Sequence, residues 1–134
     1  MQTSESQLKQ NCVKQENKKQ VYIVDDDQSV NRALKFLMVS HGFAVDTFSS
    51  SEEFFSAIPN SAPGCLILDI HMQGLSGWQA YRKLKQTGCS RPVIMITADR
   101  NGGLKERALE AGVVGLLQKP FRDQELVDLI KNEC

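Results

Sequence analysis

The chain lacks any apolar run approaching the roughly 20 residues that a bilayer-crossing helix needs. It lacks a net charge as well. Sixteen Lys and Arg offset 16 Asp and Glu, so bulk charge gives no steering toward nucleic acid or an anionic membrane surface. Its opening segment, MQTSESQLKQNCVKQENKKQ, has no apolar stretch of the kind that marks a secretory signal. The four cysteines, Cys12, Cys65, Cys89 and Cys134, have neither CxxC nor metal-ligand spacing. The expectation is therefore four reduced thiols in a cytoplasmic protein, with Cys65 buried in a strand. Residues 1–20 hold few large apolar side chains and read as a flexible polar extension. The remaining residues, 21–134, suit a single domain. At this size a domain buries about two-thirds of its unfolded surface, enough for a real core.

What the sequence does have is alternation. "VYIVD" is a short β-branched run. Asp27 then stands where an N-cap belongs, before Val30, Ala33, Leu34, Leu37 and Met38 at helical spacing, with Gly42 as the stop. "AVDTF" is a weaker strand, and Ser50 with Glu53 forms a capping-box pattern ahead of the next helix. "CLILD" and "VIMIT" are fully apolar strands; the helix between them carries Trp78, Tyr81 and Leu84 on one packing face. "LKERALEAG" is a short helix with a solvated face, "VVGLLQ" a fifth strand, and "DQELVDLIKN" a last helix capped by Asp123. Five strand–helix units with short connections and continuous apolar strands predict a doubly wound α/β fold with a parallel sheet covered on both faces.

The polar residues fall at the strand ends. Strand one ends at Asp25 and Asp26, strand three at Asp69, strand four at Thr97 and strand five at Lys119. In an open parallel sheet those ends emerge on one side, where ligands bind. The run Asp25-Asp26-Asp27 raises the question of what offsets its repulsion, roughly 4 kcal/mol for two charges about 4 Å apart at an effective dielectric of about 20. A cation, a helix N-terminus and bulk water all qualify. Asp27 suits the helix end. Asp26 and Asp69 suit a hard divalent cation, since Mg²⁺ takes oxygen ligands and is held by one or two carboxylates plus a phosphate. With an ammonium and a hydroxyl to contact phosphoryl oxygens, the set fits phosphoryl transfer, Asp69 being the nucleophile of an acyl phosphate.

These residues, in this order, resemble the receiver domain of bacterial two-component response regulators over residues 21–132. The motifs are the acidic pair Asp25 and Asp26, the acceptor Asp69, Gly77 eight residues on, Thr97 followed by small Ala98, and the Lys119-Pro120-Phe121 triplet. The resemblance implies a five-stranded parallel sheet of order 2-1-3-4-5, flavodoxin-like, and a cis Lys119–Pro120 bond. It implies Mg²⁺ (or Mn²⁺) held by Asp25, Asp26, Asp69 and the backbone carbonyl of His71. Phosphorylation of Asp69 by a histidine kinase or phosphotransfer protein follows, with Thr97 and Lys119 assisting. A switch involving Thr97 and Leu116 would act on the face formed by the fourth helix, fifth strand and fifth helix, with a downstream protein target or fused effector domain. Phosphorylation-dependent dimerisation belongs to the same expectation; direct nucleic-acid or membrane binding does not. Two departures stand out. Gln73 replaces the usual proline four residues past the acceptor, and Leu116 replaces the usual aromatic, at a position expected to border solvent.

Rival readings use the same residues. "DDDQS" matches the acid-x-acid pattern of haloacid-dehalogenase-type phosphatases, with Asp25 as nucleophile and Asp27 as general acid, but such enzymes usually need a longer chain. A pseudo-receiver would bind without being phosphorylated; the full acid, hydroxyl and lysine set argues against it. A flavin-binding flavodoxin needs a hydroxyl- and glycine-rich phosphate loop where this chain has three acids. Two settings fit the output: a stand-alone receiver acting by protein contact, or a piece of a longer transcriptional regulator or hybrid kinase.

Overall fold

The computed structural model describes residues 18–72, 74–99 and 102–134. Most of the expected N-terminal extension, Cys12 and Gln73 lie outside the described residues. The elements are β1 (Gln20–Val24), α1 (Gln28–Ser40), β2 (Ala44–Phe48), α2 (Ser51–Ala57), β3 (Cys65–Asp69), α3 (Gly77–Gln86), β4 (Val93–Thr97), α4 (Leu104–Ala111), β5 (Gly115–Gln118) and α5 (Asp123–Glu133). All strand pairs are parallel, in the order β2-β1-β3-β4-β5. The expected α/β architecture is therefore present.

The period-2 alternation of each strand sorts its side chains into two cores. Tyr22, Val24, Leu66, Leu68 and Met95 face α2, α3 and α4 and pack with Phe54, Ala80, Tyr81, Leu84 and Ala108. Val21, Ile23, Ile67, Ile94 and Ile96 face the other way and pack with Leu34 and Met38 of α1 and Leu126, Val127 and Ile130 of α5. Residues of both parities are buried along β1, β3 and β4, which is why those strands read as unbroken apolar runs. β2 lies at the sheet edge and is only partly buried, which accounts for its weaker signal. Around Phe54, edge-on contacts with Tyr22, Phe48 and Phe55 have ring centroids 5.5 Å apart. The buried Arg91 guanidinium lies against Tyr22 and Phe54 and donates to the carbonyls of Gly64 and Pro59.

Helix starts follow the sequence with small shifts. Asp27 accepts from the N–H groups of Ser29 and Val30, as an N-cap should. Ser50 caps α2 through the Glu53 N–H, while the Glu53 carboxylate reaches back to Ser49, one residue beyond the N-cap of the reciprocal box expected. At α5 the N-cap is Arg122, and Asp123 is the first helical residue. Its carboxylate still sits in the first turn, where negative charge is favourable, so the helix start was displaced by one residue in the sequence reading.

Two further expectations are corrected. Cys65 and Cys134 are not reduced thiols. They form a disulfide across 69 residues, with Cα atoms 5.8 Å apart. α5 packs back across the sheet face against Ile67 and Ile94, and its end lies beside the start of β3, a proximity set by tertiary packing that no sequence spacing announces. Cys65 is buried as expected, and Cys89 is a buried free thiol. Leu116 does not border solvent: it is 6% exposed, packed with Met95, Ala108 and Val113 beneath α4. Among the described residues no helix is long and apolar enough to cross a membrane.

Burial separates two phenylalanines cleanly. Phe54 is 2% exposed and Phe36 on α1 is 78% exposed. Phe54→Ala should cost about 3–5 kcal/mol in a denaturant titration, and Phe36→Ala should stay within about 0.5 kcal/mol of the parent. Equal effects would contradict this core assignment.

Candidate functional site

The parallel register delivers the polar strand ends to one place. Val24 pairs with Leu68 across β1 and β3, so Asp25 and Asp69 emerge side by side. Carboxylate oxygens of Asp25, Asp26 and Asp69 all lie within 4.8 Å of one another. Asp25 and Asp69 are buried and Asp26 is exposed. Lys119 follows β5 directly. Its backbone N–H donates to the Thr97 carbonyl at 2.7 Å, and its ammonium lies 3.3 Å from Asp25 Oδ2 and 3.7 Å from Asp69 Oδ2. The Lys119–Pro120 bond is cis, as the resemblance implied. Thr97 is wholly buried, its hydroxyl accepting from the Asp99 N–H at 3.0 Å, with exposed Ala98 between them.

Several local devices hold these groups. Asp25 Oδ1 accepts from the Asp27 N–H at 2.9 Å, which fixes the acidic turn. Because Asp27 is committed to capping α1, it is not placed as a general acid beside Asp25, and the phosphatase reading loses its second residue. Gly77 is required by space. A Cβ there would sit 2.7 Å from the Asp69 carbonyl oxygen and from the Ile70 Cα, so only glycine lets α3 start against the acceptor loop. The His71 N–H donates to Asp69 Oδ1 at 3.2 Å. The His71 ring is exposed at the mouth of the site, 3.8 Å from the Asp99 carboxylate.

The sequence reading missed Asn31. This buried amide on α1 donates to the carbonyls of Asp25 and Phe48, at 2.8 and 3.1 Å, and so locks the β1–α1 turn. The available signal was an amide in register with Leu34 and Met38 on the buried stripe of α1. Removing such a buried donor costs about 1–3 kcal/mol.

Among the described residues, three carboxylates share the Lys119 ammonium. Burial first, and then the neighbouring Asp25 charge, raise the Asp69 carboxyl above its ordinary value of 3.8; Asp26 adds a smaller upward push, while the Lys119 ammonium and the His71 N–H pull downward. Three all-oxygen ligands set this closely fit a hard divalent cation, whose charge would relieve the same repulsion.

The chain belongs to the response regulator receiver domain family, whose sequence profile matches residues 21–131. It is similar to the response regulator protein TodT of Pseudomonas putida, 40% identical over 111 residues that cover 83% of this chain and 49% of TodT. The transcriptional regulatory protein FixJ of Bradyrhizobium diazoefficiens is 32% identical over 112 residues, covering 84% of this chain and 55% of FixJ. Among solved structures, the response regulator StyR superposes with a TM-score of 0.80 at 37% identity, over 86% of this chain and 58% of StyR. The FixJ N-terminal domain superposes with a TM-score of 0.78 at 32% identity, over 86% of this chain and 92% of that one. The chain thus spans about half the length of the curated relatives it matches. It is a phosphoacceptor receiver domain of two-component signalling.

The raised Asp69 pKa fixes the sign of a stability effect. Below pH 3.8 the carboxyl is protonated in folded and unfolded chains alike, and the site costs nothing. As pH rises toward the folded value, the unfolded chain ionises first, and stability falls. Asp69→Asn should therefore melt above the parent at neutral pH without added divalent cation. The difference should shrink toward zero as pH drops below the ordinary carboxylate value. Equal melting at neutral pH would show that Asp69 is not strained by its surroundings.

Proposed function

We propose that Asp69 is the residue phosphorylated, receiving a phosphoryl group from the phosphohistidine of a histidine kinase or phosphotransfer protein. One observation carries this reading: Asp69 is the buried carboxylate that ends β3, with an oxygen within 4.8 Å of those of Asp25 and Asp26 and its Oδ2 3.7 Å from the Lys119 ammonium. An Asp69 oxygen attacks phosphorus, the P–O bond forms, and the P–N bond to the donor imidazole breaks. The product is an acyl phosphate on Asp69 and a neutral imidazole on the donor. Lys119 moves its ammonium from Asp25 to a phosphoryl oxygen, and Thr97 turns its hydroxyl from the Asp99 N–H to another. Asp26 and Asp69 would hold Mg²⁺ or Mn²⁺ directly, with the His71 carbonyl as a further ligand and Asp25 acting through water; the cation supplies charge neutralisation at the transferred oxygens.

The unit that does this is residues 21–134, with residues 1–20 as an extension, in a cytoplasmic setting where kinases have access. Since the relatives are about twice as long, the output belongs to a fused effector domain or to a separate protein target. Output leaves through the face of α4, β5 and α5. Leu116 contributes little to it, because leucine lacks both the bulk and the polar tip of the usual aromatic and is largely buried beneath α4. The loop after β4 carries the change instead, where Gly102 and Gly103 give backbone freedom.

Two measurements test this. Acetyl phosphate with Mg²⁺ should add one phosphoryl group by mass spectrometry; Asp69→Asn should take none, and Lys119→Met should slow labelling by about a hundredfold or more. Stoichiometric labelling of Asp69→Asn would overturn the assignment. With a stable phosphoryl mimic bound, NMR shift changes should concentrate at Ala98, Asp99 and residues 102–106 and spare the Leu116 methyls. A large rotamer change at Leu116 would return the switch to that residue.

A further inference from the structure

The opposite side of α4 holds a second feature. Between α3 and α4 runs an open groove of about 290 Å³, lined by Trp78, Tyr81, Arg82, Lys85, Arg107 and Ala111. It is separate from the cleft beside Lys105, Glu106, Leu116 and Phe121 on the other flank of α4. Trp78, Tyr81, Arg82 and Lys85 fall at i, i+3, i+4 and i+7 of α3, so one helix face presents all four. Arg107 and Ala111, four apart on α4, form the facing wall.

Core packing explains only part of this. Tyr81 is buried and donates to the Ala111 carbonyl at 2.9 Å, which ties the two helices together. Trp78 remains half-buried, and Arg82, Lys85 and Arg107 are exposed. The Arg107 guanidinium lies 4.4 Å from the Trp78 ring centroid, and the Lys85 ammonium 5.4 Å from that of Tyr81. Among the described residues none of these three cations is in an ion pair, and no carboxylate lines the groove. The whole chain is neutral, so three cations around an aromatic floor are a local concentration of charge.

We propose that this groove docks an acidic amphipathic segment of a partner protein. An apolar side chain of the segment rests on Trp78, Tyr81 and Ala111, and its carboxylates meet Arg82, Lys85 and Arg107. Charge complementarity selects such a segment, and the apolar floor requires more of it than acidity. The docking does not depend on the phosphorylation reading, since no groove residue belongs to the Asp69 site.

Trp78 is the only tryptophan of the chain, so its fluorescence reports the groove directly. Short random peptides displayed on phage are selected against the full chain and then titrated as free peptides. The selected sequences should carry several Asp or Glu around at least one apolar residue, and should change Trp78 emission saturably. Affinity should fall by about tenfold or more in the Arg82→Glu, Arg107→Glu double variant and on raising salt. That variant should keep the parent's melting temperature and rate of labelling by acetyl phosphate. Neutral or basic selected peptides would overturn the proposal, as would acidic ones that bind the double variant equally well. It also fails if ATP or vesicles of anionic phospholipid perturb Trp78 at lower concentrations than the peptides do, or if the chain's self-association alone accounts for the signal.

Discussion

Three carboxylates gathered within 4.8 Å around the Lys119 ammonium are the constraint on which the rest of the site depends. Two unit charges at that separation repel by roughly 3–4 kcal/mol at an effective dielectric of about 20. Lys119 divides itself between Asp25 and Asp69 and leaves Asp26 at the rim. The arrangement is costly to the fold and useful to the chemistry. A divalent cation held by these carboxylates would bring the positive charge that offsets their repulsion.

The fold holds that arrangement by backbone. β1, β3, β4 and β5 end at one level because the sheet is parallel, and the two apolar cores clamp it from both sides. Asn31 pins the turn after β1, Gly77 lets α3 begin in contact with the acceptor loop, and the Lys119 N–H bonds back to Thr97. α3 and α4 both begin at loops that leave the site.

The sheet was legible because β1, β3 and β4 are buried on both faces and so are unbroken apolar runs, and because Gly42, Gly88 and Gly112 mark helix ends with positive φ. Asp69, Lys119 and Thr97 were legible as polar residues closing such runs. Asn31 and Arg91 were not: each is a polar residue whose role is to satisfy backbone carbonyls brought close by tertiary structure, and its partners are distant in sequence. The Cys65–Cys134 pairing failed for the same reason. Leu116 does not border solvent because, although β5 is an edge strand, the edge is open only laterally and α4 covers its face.

Burial and the neighbouring acids raise the Asp69 carboxyl above its ordinary value, and a divalent cation held by the three carboxylates would lower it. Carboxyl ¹³C NMR of Asp69, titrated against pH with and without Mg²⁺, measures this directly. The account predicts titration above the ordinary aspartate value in the absence of Mg²⁺, and a downward shift when Mg²⁺ is added. An ordinary Asp69 titration that Mg²⁺ leaves unmoved would contradict it.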